Sequence, residues 1–216
     1  MKKNFMLKEK CVYEGWELED IKLIEEMFND ENLDLYQELK YPQFYKDFVE
    51  TSQKLLEIVE TKFNPSIKET ILKMSLVHAF TAMETFFFNA LIVILRHCPE
   101  HINEILSHLS ISRKHANANN YHLTKIIIEK IAKKSTQNPE KISKIYAILG
   151  VQTENNVELS DYMKIRNDIV HRNGRNESGK RIKFSRRKLV NCLKEMRFFV
   201  DHAEREIRKL NKKVMI

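Results

Sequence analysis

Glycine and proline are scarce, four of each in 216 residues, where average usage would supply roughly 7% and 5%. A sandwich or barrel of many short strands needs turn residues at each reversal. That architecture is therefore excluded, and an all-α chain is expected. Cysteine is scarce too. Cys11, Cys98 and Cys192 are odd in number, far apart and without a CxxC pair, which argues against a disulfide scaffold and for a reducing compartment. The opening MKKNFMLKEKCVYEG has lysines but no apolar run of the length a signal peptide needs. One run, residues 76–95, is long enough to span a bilayer, yet it contains His78, Glu84 and Asn89, which hydrocarbon penalises. It is expected to be a buried helix of a soluble, cytoplasmic protein with no membrane partner.

No glycine-rich phosphate loop and no serine or cysteine nucleophile motif occurs. His97, Cys98 and His101 cluster, and His101, His108, His115 and His122 recur every seven residues. Seven residues of helix rise about 10.5 Å, so successive members of that series cannot share one ion. Neither a metal nor another cofactor is expected.

What the chain does have is charge, unevenly placed. Residues 164–216 carry 17 Lys+Arg against 6 Asp+Glu, a net +11, which leaves −4 for residues 1–163 and gives the whole-chain +7. Such asymmetry suits a polyanion partner for the C-terminal third, nucleic acid foremost, although a solvated basic helix face would read the same way.

Apolar spacing predicts helices along most of the chain. The first is short, over 17–29. Tyr41-Pro42 then breaks the chain, and Phe44, Phe48, Leu55, Val59 and Phe63 mark one stripe of the next. Asn64-Pro65 reads as an N-cap followed by proline at the first helical position, opening a long helix to about His97 that is apolar on nearly every face from Leu76 onward. A shorter segment from Pro99 to about Leu109, helices over 121–132 and 139–149, and a helix from about Leu159 follow. The last of these stops near Asn173-Gly174, where glycine can adopt the left-handed conformation. Ser185 is a candidate N-cap for a long basic C-terminal helix with a stripe at Leu189, Leu193, Met196, Phe199 or Val200, Ala203, Ile207 and Leu210. Two parts are expected: residues 1–42 as an N-terminal extension packed on the bundle, and 43–216 as the helical domain.

The candidate chemistry lies in Arg166-Asn167-Asp168-Ile169-Val170-His171-Arg172-Asn173-Gly174. Arginine keeps its charge in a protein while histidine titrates near neutral pH, so Arg166 and His171 pair a fixed cation with a proton carrier. That combination suits phosphodiester cleavage. Five residues at about 100° each set the two side chains about 140° apart on a regular helix. They converge only if the helix ends between them or a second subunit supplies the complement. As a bare pattern R-x4-H is weak, and by spacing alone a helix terminus with a histidine capping carbonyls is the better account of it.

The run RNDIVHRNG, followed by Gly179, the IKF segment and a final amphipathic helix, resembles the HEPN family, the higher eukaryote and prokaryote nucleotide-binding domains. AMETFFFNAL resembles that family's central helix, and the likeness covers roughly residues 45–210. It implies an all-α HEPN-like bundle, with a long apolar central helix and a long basic C-terminal one, that forms a homodimer in which two R-x4-6-H motifs share a cleft. Many members are metal-independent RNA endonucleases, often toxins or antiviral defence effectors held by an antitoxin or a defence complex; others are catalytically silent modules that bind RNA, nucleotide or a protein partner. Arg166 and His171 match the two defining positions, and Asn167 the polar residue usual after the arginine. Members modified by a partner nucleotidyltransferase carry a tyrosine two residues after the histidine, where this chain has Asn173, so that form of silencing is not implied.

On this reading the RNA 2′-hydroxyl attacks the adjacent phosphorus, His171 moves the proton, and Arg166 stabilises the phosphoryl oxygens, leaving 2′,3′-cyclic phosphate and 5′-hydroxyl ends. Arg172, Arg175, Lys180, Arg181 and Lys183 would hold the RNA backbone, or else are ordinary surface charge. Asp168 could orient His171 or could be a solvated acid. Glu84, in the apolar central helix, needs a partner, for which Arg166 or His171 is the candidate.

Overall fold

A computed structural model of the chain describes residues 41–97, 99–108, 127, 138–153 and 157–214. The chain divides after Lys40. Residues 1–40, and with them the helix expected over 17–29 and nearly all of the N-terminal extension, lie outside the described residues. So does the helix expected over 121–132 apart from Ile127, which is helical and buried.

The described part is all helical, with no strand. Helix α1 spans Tyr41–Glu60 and α2 spans Pro65–His97. A 3-10 turn at Pro99–His101 leads into α3, Ile102–His108. Helix α4 is Pro139–Ile148, α5 is Val157–His171 and α6 is Arg186–Val214. The starts follow local chemistry. Asn64 Oδ1 accepts from the Ser66 amide at 3.1 Å, and Asn138 Oδ1 from the Glu140 amide at 2.9 Å, each asparagine standing just before a proline that lacks the amide a cap would have to satisfy.

Helix α2 is the hub, packing against α1, α5 and α6. Its core side is wide, with Leu76, Phe80, Met83, Phe86, Phe87, Ala90, Leu91, Ile94 and Leu95 all buried, while Met74, His78, Thr81 and Thr85 line an exposed stripe. Phe87 is the focus. Its ring meets those of Phe86, Tyr146 and Phe199 at centroid separations of 5.0, 5.2 and 5.2 Å, which ties α2 to α4 and α6. Tyr146 also donates its hydroxyl to the Phe87 carbonyl at 2.5 Å, so the phenol enters the core with its polar end satisfied. Among the described residues α2 alone is long and apolar enough to cross a membrane by length and composition. About half of that stretch is buried inside the protein, and Ile67 and Met74 are exposed.

Helix α6 is the amphipathic counterpart. Leu189, Cys192, Leu193, Met196, Phe199, Val200, Ala203 and Ile207 are buried at three- and four-residue spacing, while Arg187, Lys188, Lys194, Arg205, Arg208 and Lys209 are exposed. Burial pushes the Cys192 thiol far up, so it behaves as a small apolar side chain. Tyr45 of α1 is pinned to this helix: its hydroxyl donates to Asp201 at 2.8 Å, Arg197 Nε donates to the same carboxylate at 2.6 Å, and the Arg197 guanidinium lies 5.5 Å from the Tyr45 ring centre.

Candidate functional site

Helix α5 carries the R-x4-H pair, and packing against α2 and α6 decides which of its residues point inward. Leu159 and Arg166, seven residues apart and so on the same face, are its buried members. Arg166 is 6% exposed and donates from Nη1 to Asn167 Oδ1 at 3.2 Å. His171, the last residue of the helix, is exposed. The helix does not end between them, and the two side chains take opposite environments, as the 140° offset requires.

Glu84 reaches the same interior from α2. Burial raises its carboxyl to about 7, while the positive charge of Arg166 pulls the other way. Of the two partners the sequence offers for Glu84, Arg166 is the one whose charge acts on it. Asp168 faces a different neighbour, accepting from Arg172 Nη1 one turn on. No hydrogen bond between Asp168 and His171 occurs among the described residues.

Helix α5 ends in two consecutive left-handed residues, Asn173 at φ 51° and Gly174 at φ 72°. The Asp168 carbonyl accepts from the amides of both Arg172 and Gly174, at 3.1 Å each, which closes the terminus. Lys73 of α2 crowds this turn: a Cβ on Gly174 would stand 3.2 Å from its Nζ. The chain then folds into a tight loop. Arg175 and Arg181 face each other in an isolated antiparallel bridge, and the Ile182 amide donates to the Gly174 carbonyl at 2.8 Å. Asn176 Oδ1 accepts from the Lys180 amide at 2.8 Å and the Ser178 hydroxyl at 2.9 Å, fixing the tip, where Gly179 takes φ 75°. Phe184 is buried and anchors the exit, and Ser185 Oγ accepts from the Lys188 amide at 3.3 Å as α6 begins.

The five cations proposed from sequence for RNA are thus on one loop, but in unlike states. Arg172 also approaches Glu177 at 3.6 Å, and Arg175 Nη1 donates to the Gly179 carbonyl at 2.9 Å. Lys180, Arg181 and Lys183 are exposed and make no side-chain hydrogen bond or ion pair among the described residues. Arg181 and Lys183 do face Glu69 of α2. Its carboxyl is held low chiefly by the Lys73 ammonium at 2.8 Å and further by those two charges. Lys73 is absent from the sequence reading because no local pattern ties a lysine of α2 to a distant glycine. Arg187 and Lys188, also outside that reading, sit in the basic run directly after Ser185, a signal open to inspection.

An open groove of about 220 Å³ between α1 and α2, bordered by Phe48, Thr51, His78, Thr81 and Thr85 among others, includes none of the sequence-predicted site residues. Comparison with family models, with curated proteins and with solved structures finds no match to this chain.

Proposed function

We propose that this chain is a metal-independent RNA endonuclease of the HEPN type, cytoplasmic and homodimeric, acting as a toxin or antiviral defence effector. The observation that carries the reading is the placement of Arg166 and His171 on one helix whose end runs directly into a strongly basic loop. In RNA the 2′-hydroxyl attacks its own phosphate, and DNA lacks that nucleophile. His171, exposed at the helix end, accepts or donates the proton, and Arg166 offsets charge building on the phosphoryl oxygens. The opposite environments of the two side chains argue for completion by a second copy, so that one protomer's exposed histidine works beside the other's motif. An antitoxin or a larger defence complex would act by blocking that pairing.

The test is cleavage of end-labelled RNA in EDTA by the wild type and by Arg166→Ala and His171→Ala. Activity in the wild type alone is expected, with partial recovery when the two inactive variants are mixed if the site is shared. Full activity in either single variant would overturn the assignment.

One observation favours a second reading, a catalytically silent module that binds RNA, nucleotide or a protein partner. Arg166 is buried beside Glu84, where its charge serves packing as readily as chemistry. In that case none of the three proteins cuts RNA, whichever ligand they bind.

A further inference from the structure

Residues 172–188 hold eight basic side chains against a single acid, Glu177. We infer that this segment is a divided anion rail: Lys180, Arg181, Lys183, Arg187 and Lys188 take the phosphates of an RNA strand, while Arg172, Arg175 and Arg186 hold the rail's shape. The inference rests on the RNA reading above and separates the cations that bind from those that build.

Three guanidinium groups are already committed within the protein. Arg172 pairs with Asp168 and Glu177, Arg175 with the Gly179 carbonyl, and Arg186 Nη2 donates to the Thr61 carbonyl at 3.0 Å, tying the start of α6 to the end of α1. The five others are exposed and make no side-chain hydrogen bond or ion pair among the described residues. At about 100° per residue Arg187 stands opposite buried Leu189 and Lys188 on the flank between, and both are exposed.

Packing gives no reason for this concentration of charge. Phe184 and Leu189 do the burying, and the first turn of α6 has no acid to answer the positive end of its dipole. Glu69 is the acid facing Arg181 and Lys183, and Lys73 already occupies it. Five like charges beside a helix N-terminus repel one another until an anion arrives. The choice of RNA backbone over an acidic membrane follows from what the segment omits: the large exposed hydrophobic side chains, Val170 and Phe198 included, all fall outside residues 172–188, leaving nothing to enter a bilayer.

The experiment measures binding of a fluorescein-labelled oligouridylate by anisotropy, in EDTA, in the His171→Ala background so that cleavage plays no part. Five phosphate contacts on a single strand predict about a 100-fold loss of affinity between about 50 and 200 mM salt; two predict about 7-fold. Adding Arg181→Gln, Lys183→Gln and Arg187→Gln should move the protein from the first figure toward the second with its helical circular dichroism intact. Arg172→Gln and Arg186→Gln should lower Tm and leave the salt slope alone. The inference is overturned if the triple substitution leaves the slope unchanged, if Arg172→Gln removes it, or if the protein binds phosphatidylserine vesicles and not RNA. It is overturned equally by absence of binding to both. Failure to cut RNA, by contrast, defeats the endonuclease reading and leaves this one standing.

Discussion

Glu84 is the residue at which burial and charge compete most openly. Its folded carboxyl titrates at about 7 against an ordinary 4.5, so between those values the folded protein holds a proton that the unfolded chain has released. Stability therefore falls as pH rises through that window and levels off above it. Glu84→Gln cannot titrate, and thermal unfolding from pH 4.5 to 8 should show a flatter profile than the wild type; identical profiles would mean that the carboxyl does not carry the effect. Arg166→Ala removes the opposing charge and should carry the wild-type decline to higher pH. Gly174 offers a second single-residue test. Its φ of 72° and the nearness of Lys73 leave a side chain little room. Gly174→Ala should cost about 1–2 kcal/mol from the left-handed backbone alone, read as a lower Tm. The sequence placed glycine at this helix end correctly. It did not show that Asn173 shares the left-handed conformation, nor that a lysine from another helix approaches, because spacing along one helix carries no record of its neighbours.

At the scale of elements, helix boundaries were legible wherever a local device sets them. Asn64-Pro65, Asn138-Pro139 and Ser185 each begin a helix through a side-chain oxygen on a free amide, and the α6 stripe is buried from Leu189 through Ile207, with Leu210 only partly covered. What could not be read was which face of α5 turns inward. Its pattern is weakly amphipathic, and the buried member beside Leu159 is an arginine, a residue that periodicity assigns to solvent. The 140° divergence of Arg166 and His171 followed from helix geometry; the burial of the first followed only from the packing of α5 on α2 and α6. The joint between α2, α4 and α6 rests on Phe87. Phe87→Ala should therefore lower stability by about 3–5 kcal/mol in denaturant titration, with Tyr146→Phe costing nearer 1 kcal/mol because only one hydrogen bond is lost. Equal effects of the two would contradict the packing described.

For the whole molecule, the all-helical architecture was written in what the chain lacks, above all glycine and proline, and in an apolar run that α2 buries among its neighbours. The proposed function rests on the short R-x4-H segment and the charge of the C-terminal third, since no chemical motif elsewhere in the sequence competes with them. With His171 in solvent and Arg166 in the interior, the active species is expected to be a dimer. Dilution below the dimer dissociation constant, followed by sedimentation and by activity, should lose both together. The most direct measurement is the end chemistry of one cleaved RNA, compared with the same strand bearing a 2′-deoxy nucleotide at the cut. A 2′,3′-cyclic phosphate and a 5′-hydroxyl are expected from the first, in EDTA, and no cut at the substituted position. Cleavage that survives the deoxy substitution, or that leaves a 5′-phosphate, would contradict that chemistry.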